Sequence, residues 1–387
     1  MEQDPPASSR YRLSAVVMTH PSRRPLLDRL RQSCPSIHFE AVEDADAAPS
    51  PDGALATALR AWRSVDPGAT HHLVLQDDVV LSPAFDEKLA RAIDADPARS
   101  FSLFSEWGSK TAQTIRLAAF SGCGWAPVAD PWLPAPAVLM PAGRAREFGD
   151  FLAARIAQGE RRDAFLLLHF LESVGEQAMV CVPNLVQHDD PPQPSLLPNG
   201  KVRGPRRTAC FSNDPEPPPR WAEGVLRLPD NLPYHSPHDL VASICFDRDA
   251  AYGWRTEPVF AWFGRHGWSL DRLDAMFRQL VRDSGIEVSD QPVGYDSLKE
   301  SVLGALATGW TVADAGNGRA GYPDVTSAVS LAALQTMAAG PFRRVLSNRL
   351  LLSLPRRVAP LLAAAVTAGA AGRHETTGAD ALADVAA

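Results

Sequence analysis

Lysine is nearly absent from this chain. Only Lys88, Lys110, Lys201 and Lys299 occur, so almost all positive charge is arginine. With abundant Ala and Pro, that usage points to a high-GC bacterial genome and carries no mechanism. Paired cysteines are missing too. The five cysteines (Cys34, Cys123, Cys181, Cys210, Cys245) are odd in number and widely spaced, with no CxxC. This argues against a disulfide framework and fits a reducing, cytoplasmic setting. No GxGxxG and no GxxxxGK[ST] is present, so neither a dinucleotide fingerprint nor a P-loop is supported. The opening MEQDPPASSRYR lacks the apolar core of a signal peptide. The longest weakly apolar tract near the end, Val358 to Ala371, is mostly Ala and too short for a transmembrane segment. Excess positive charge is also lacking. A net charge of −7 argues against a dedicated nucleic-acid binder.

At 387 residues the chain exceeds the roughly 250–300 residues at which single cores stop growing, so more than one domain is expected. The hydrophobic fraction of 45% and charged fraction of 21% are those of a soluble globular protein. The most informative stretch is HHLVLQDDVVLSPAF, from His71 to Phe85. Leu73 to Leu75 read as a buried strand that ends in Gln76-Asp77-Asp78. Adjacent carboxylates at a strand end repel each other and are costly to desolvate. A hard dication, Mg²⁺ or Mn²⁺, that joins a carboxylate to a diphosphate would account for them. The bland alternative is a pair of solvated turn residues. Ser82-Pro83 is then expected to cap the helix that carries Phe85, Leu89, Ala92 and Ile93.

Along the chain, residues 1–10 read as a disordered tail. Leu13 to Met18 is a buried strand that ends in Thr19-His20-Pro21-Ser22-Arg23-Arg24, and Pro25 to Cys34 is helical. Such a loop suits a ribose or phosphate held by backbone N–H groups and Arg; it also suits a plain solvated connection. Ile37 to Val42 is a second strand closed by Glu43-Asp44, and Gly53 to Val65 a helix. This β-α-β-α-β-α order predicts an α/β layer with a largely parallel sheet. Further strands are expected at Ser100 to Phe104, Ala137 to Met140 and Met179 to Val182. Helices are expected at Gly143 to Gln158 and over LLLHFLESVG. Trp107, Trp125 and Trp132 lie in loop-rich sequence, where they suit either stacking on an acceptor or core packing. PNLVQH then places His188 at a strand end, ahead of the basic segment Lys201 to Arg207.

Taken in order, THPSRR, LVLQDDV and, about a hundred residues on, VPNLVQH resemble a GT-A-type glycosyltransferase over roughly residues 11–215. The resemblance implies a nucleotide-diphospho-sugar transferase fold, with a mostly parallel sheet and helices on both faces. It implies Mn²⁺ or Mg²⁺ bound to Asp78 and His188, and a UDP-sugar or related nucleotide-sugar donor. Thr19, His20, Arg23, Arg24, Asp44, Gln76, Asp77, Arg206 and Arg207 would contact that donor. Asp163 would be the general base beside the catalytic Asp78, and Trp107, Trp125 and Trp132 the acceptor wall. Gln76 stands at the first position of the triplet, and Arg162 precedes Asp163 where Glu is common. The acceptor (a natural product, peptide or cell-surface precursor) is unknown. Two rivals stand beside this reading. A nucleotidyltransferase would show a Gly-rich, Lys-containing loop after the first strand, which THPSRRP is not. A non-catalytic nucleotide-sugar-binding or scaffold protein would bind without turnover.

The expected domains are 11–212 (catalytic), 213–233 (a Pro-rich linker or strap), 234–375 (mainly helical, accessory) and a disordered tail at 376–387. Helices are expected at Ser269 to Ser284 and Ala328 to Ala339, and Trp254 to Trp268 reads as core. His235 and His238 at i, i+3 with Cys245 nearby would suit zinc but lack a fourth ligand. Phe342 to Arg357 mixes Leu with five Arg, which suits oligomerisation, docking on a partner, or a solvated amphipathic helix.

Overall fold

The computed structural model describes residues 11–45, 50–189, 205–216, 221, 224–249, 253–314 and 322–386. The expected tail at 1–10 and the first part of the Lys201–Arg207 segment lie outside them. The chain forms two units. One comprises Met1–Ser105, Asp130–Lys201 and Arg206–Ala222, the other Glu106–Ala129, Val202–Pro205 and Glu223–Ala387. The division differs from the expected boundaries, because the segment 106–129 joins the C-terminal residues.

The first unit opens with β1 (Leu13–Thr19), α1 (Arg24–Ser33), β2 (Phe39–Glu43), α2 (Pro51–Arg63), β3 (His71–Gln76), β4 (Val79–Leu81), α3 (Phe85–Ala95) and β5 (Phe101–Ser102). The segment that belongs to the second unit forms α4 (Lys110–Ser121) and β6 (Trp125–Pro127). The first unit resumes with β7 (Ala137–Pro141), α5 (Ala142–Ala157), α6 (Asp163–Ser173), β8 (Met179–Cys181) and β9 (Val186–His188). In this unit, six strands of the central sheet run in the order β2-β1-β3-β7-β5-β8. β1 pairs in parallel with β2 and β3, and β5 with β8, while β7 runs antiparallel to both its neighbours. The expected α/β fold with a mostly parallel sheet is therefore present, with β7 as the reversed strand.

The apolar run of β3 is buried because strands lie on both sides of it: Val74 pairs with Val16 of β1 and with Val138 of β7. Helix α2 starts where Ser50 Oγ accepts from Gly53 N at 2.8 Å, with Pro51 in the first turn. Its Trp62 meets Phe148 of α5 edge-on at 5.1 Å. The expected Ser82-Pro83 cap is not used. Helix α3 begins at Phe85, after Ala84 in the left-handed region with φ of 50°.

The second unit continues with β10 (Leu232–His235), β11 (Ala242–Asp249), β12 (Gly253–Pro258), α7 (Val259–Arg265), α8 (Leu270–Ser284), α9 (Tyr295–Asp314), α10 (Ala328–Ala339) and α11 (Asn348–Ala386). It is mainly helical as expected, and adds an antiparallel sheet β10-β11-β12 that alternation did not reveal. Helix α11 runs through most of the stretch expected to be a disordered tail. Its residues 348–376 are long and apolar enough to cross a membrane by length and composition, a test that core helices of soluble proteins also pass. The apolar tract read as too short is thus the middle of a longer helix. α11 packs closely on α9: a Cβ on Gly309 would collide with the Val366 carbonyl, and one on Gly369 with the Leu306 carbonyl.

Candidate active site

Strand β1 ends at Thr19, and a short 3-10 turn, Pro21–Arg23, follows. His20 caps that turn: its Nδ1 accepts from Ser22 N at 3.2 Å. The turn directs Arg23 back toward the end of β3, where Asp77 and Asp78 leave the sheet. One guanidinium nitrogen of Arg23 lies 3.1 Å from Asp77 Oδ1 and 3.1 Å from Asp78 Oδ2. Thr19 Oγ1 donates to Asp77 Oδ2 at 2.8 Å. Just past Asp78 the chain enters β4, which pairs with β9 in the register Val79↔His188. That pairing brings His188 Nε2 to 3.4 Å from Asp78 Oδ2. Arg206 approaches the same His188 nitrogen and stands 4.0 Å from Asp78 Oδ2.

Arg23, Asp77, Asp78 and His188 are all buried, between 4% and 7% exposed. Two buried carboxylates thus face two guanidiniums and an imidazole. Burial raises the pKa of Asp77, and the neighbouring Asp78 charge adds to the rise. Burial pushes Asp78 the same way, but the hydrogen bond and charge of His188, with Arg23 and Arg206, overcome it and hold Asp78 at about 2. Asp78 is therefore the carboxylate that stays ionised.

Asp78 Oδ1 and His20 Nε2 are buried with no hydrogen-bond partner among the described residues. An unpartnered carboxylate oxygen suits a metal or ligand contact. Among the described residues no group of three or more His, Cys, Asp or Glu could hold a metal ion, so water and donor oxygens would have to complete any shell on Asp78 and His188. Arg23 and Arg206 already compensate the carboxylates, and a dication would share Asp78 with them. The zinc reading of His235, His238 and Cys245 gains nothing either, since His235 Nε2 pairs with the Leu240 carbonyl at 3.1 Å.

The other expected residues fall into three groups. Asp44 sits beside the cluster, its N–H donating to Thr19 O at 2.7 Å. Gln76 closes β3, with its N–H on Pro136 O at 2.9 Å, and Arg207 follows Arg206, half-buried. Asp163 stands at the start of α6, beside the loop before β7, where Leu133 N donates to Ala164 O at 3.0 Å. Its Oδ1 accepts from Ala164 N at 2.7 Å, and burial raises its pKa. Arg24 points elsewhere, to Glu43 at 3.2 Å on the surface. Two of the three tryptophans need correction. Trp107 and Trp125 are only 4% and 2% exposed and belong to the second unit, where Trp107 Nε1 donates to Pro205 O; they are core and offer no stacking face. Trp132, half-buried, meets the Phe165 ring at 5.6 Å.

Sequence reasoning did not single out Ser22, whose hydroxyl lies 2.7 Å from His20 Nδ1. An i, i+2 hydroxyl beside a strand-end His would have been the signal.

No protein-family model matches the sequence, and no curated protein matches it. Among solved structures, the chain is similar to the crystal structure of mannose-1-phosphate geranyltransferase from Thermus thermophilus. The likeness has 11% identity, covers 44% of this chain and 73% of that one, and has a TM-score of 0.24, too low to bear on what this protein does.

Proposed function

We propose that the first unit is a glycosyltransferase of the GT-A type, which moves a sugar from a nucleotide-diphosphate donor to an acceptor hydroxyl. One observation carries this reading. Residues from the end of β1 (Thr19, His20, Arg23), from the end of β3 (Asp77, Asp78) and from β9 and beyond (His188, Arg206) meet in a single buried polar cluster. Ligands in open α/β sheets bind beyond the carboxyl ends of the strands, where this cluster lies. As the C1–O bond breaks, the leaving diphosphate gains negative charge. Arg23, Arg206 and Arg207 are the groups that would meet it, in a buried setting where such contacts are strong. Asp78 and His188 would hold Mn²⁺ or Mg²⁺, a Lewis acid for the leaving group. Asp163 would take the acceptor's proton, and its raised pKa suits a base.

A second reading rests on Arg23. Its guanidinium already bridges both carboxylates, as in a site that binds a donor without a metal and without turnover.

The test is thermal stability against UDP-, GDP- and dTDP-sugars, with and without Mn²⁺. A donor at 100 times its dissociation constant stabilises by about 2.7 kcal/mol. The expected result is a Mn²⁺-dependent rise with one donor and slow release of free nucleotide, with the release lowered about 10²–10³-fold in Asp78→Ala. A rise that ignores Mn²⁺ and releases no nucleotide would favour the binding protein. Pyrophosphate release from a nucleoside triphosphate and a sugar phosphate would sink the glycosyltransferase reading in favour of nucleotidyl transfer.

A further inference from the structure

The second unit has a cavity of its own, of about 960 Å³. Its walls are the turn between α7 and α8, the last residues of α9, the stretch of α11 around Arg373, and residues 227–231. Gly267 makes the α7–α8 turn in the left-handed region, with φ of 78°. Beneath lies packed indole: Trp310 meets Trp262 edge-on at 5.7 Å and Trp268 at 5.5 Å.

Two guanidiniums cover that indole layer. Arg272 lies 4.2 Å over the Trp268 ring, and Arg373 lies 5.5 Å over the Trp310 ring. Each is also held from the side by a carboxylate, Arg272 by Glu375 at 3.2 Å and Arg373 by Asp314 at 2.8 Å. Stacking below and an ion pair beside orient each guanidinium over the indole layer. Trp268 Nε1–H is buried with no partner among the described residues.

The charge balance selects the ligand class. Four arginines (227, 265, 272 and 373) and three carboxylates (230, 314 and 375) line the cavity, so the lining sums to 4 − 3 = +1. A polyanion would need uncompensated positive charge. Here Arg272 and Arg373 each stand beside a carboxylate, Glu375 and Asp314, so donors and acceptors occur side by side. A sugar hydroxyl both donates and accepts, so a polyhydroxyl ligand can use both kinds of group at once.

We propose that this cavity is a saccharide-binding site, in which a neutral oligosaccharide lies against Arg272 and Arg373 with hydroxyls on Asp230, Asp314 and Glu375. The site stands on the second unit alone.

The full chain, without nucleotide sugar, is titrated calorimetrically with maltotetraose, cellotetraose, chitotetraose and mannotetraose, and with pyrophosphate as the anion probe. The expected result is saturable binding of at least one oligosaccharide, weakened about tenfold in Asp230→Asn and in Arg272→Gln. Asp230 is exposed, so its variant keeps the fold. The proposal is overturned if none of the four binds, or if pyrophosphate binds as tightly as the best of them. It is equally overturned if both cavity variants bind like the parent chain. A failed donor test in the first unit leaves all of these outcomes readable.

Discussion

The two units handle charge in opposite ways. The first concentrates it: Arg23, Asp77, Asp78 and His188 are buried together where strands end. The second spreads it over indole: the pairs Arg272–Glu375 and Arg373–Asp314 remain partly exposed above tryptophans that are almost fully buried. Exposed pairs contribute little each, because water screens them and both side chains lose freedom. Buried groups depend on every partner, since removing one leaves a charge uncompensated in a poor solvent. A cluster of the first kind fixes geometry for chemistry. Pairs of the second kind suit binding, where groups must yield to a ligand.

The largest effect is expected from Arg23→Met, which strips the shared cation from Asp77 and Asp78. Urea unfolding should show a loss of about 3–5 kcal/mol. A loss below about 1 kcal/mol would mean that the carboxylates are solvated, and the contrast between the units would collapse. Next comes Gly309→Ala in the second unit, whose new methyl meets the Val366 carbonyl. Overpacking there should cost about 2–3 kcal/mol in the same assay. The pH dependence of Asp78 follows. Its folded pKa of about 2 lies below the ordinary 3.8, so its contribution is full above the ordinary value and is lost as pH falls through about 2. That contribution is about 2 kcal/mol, and Asp78→Asn should flatten the stability curve between about pH 4 and pH 2. The smallest effect is expected one residue from the largest. Arg24 pairs with Glu43 on the surface, and Arg24→Ala should cost less than about 1 kcal/mol. Arg23 and Arg24 thus form a matched pair that isolates burial from residue type.

Much of the first unit was legible. The runs at Leu13 and Leu73 are buried on both sides and read as strands, and turn residues marked their ends. Helix α10 was bounded correctly at Ala328 and Ala339. Helix α4 escaped because all residues from Thr111 to Phe120 are buried, so no polar face betrays its period. Helix α9 hid for the same reason, with Ser301 to Val312 buried without a break. At the candidate site, Asp77 and Asp78 could be read from their place in the sequence. The grip of Arg23 on both of them could not, because it depends on how a three-residue turn re-aims one arginine and leaves its neighbour at the surface. The tryptophans misled because loop-rich sequence around Trp107 and Trp125 says nothing about what covers them.

The pairing of β4 with β9 has a bearing on when the site comes into being. Strands β1, β2 and β3 lie within the first 76 residues, and both carboxylates follow at once. The imidazole that lowers the pKa of Asp78 arrives only at residue 188, in the last strand of the first unit, and Arg206 later still. A chain still growing on the ribosome can therefore assemble the parallel half of its sheet while Asp78 lacks its imidazole. The cluster is completed late in the synthesis of this unit, and a chain cut before β9 would hold the sheet without the site.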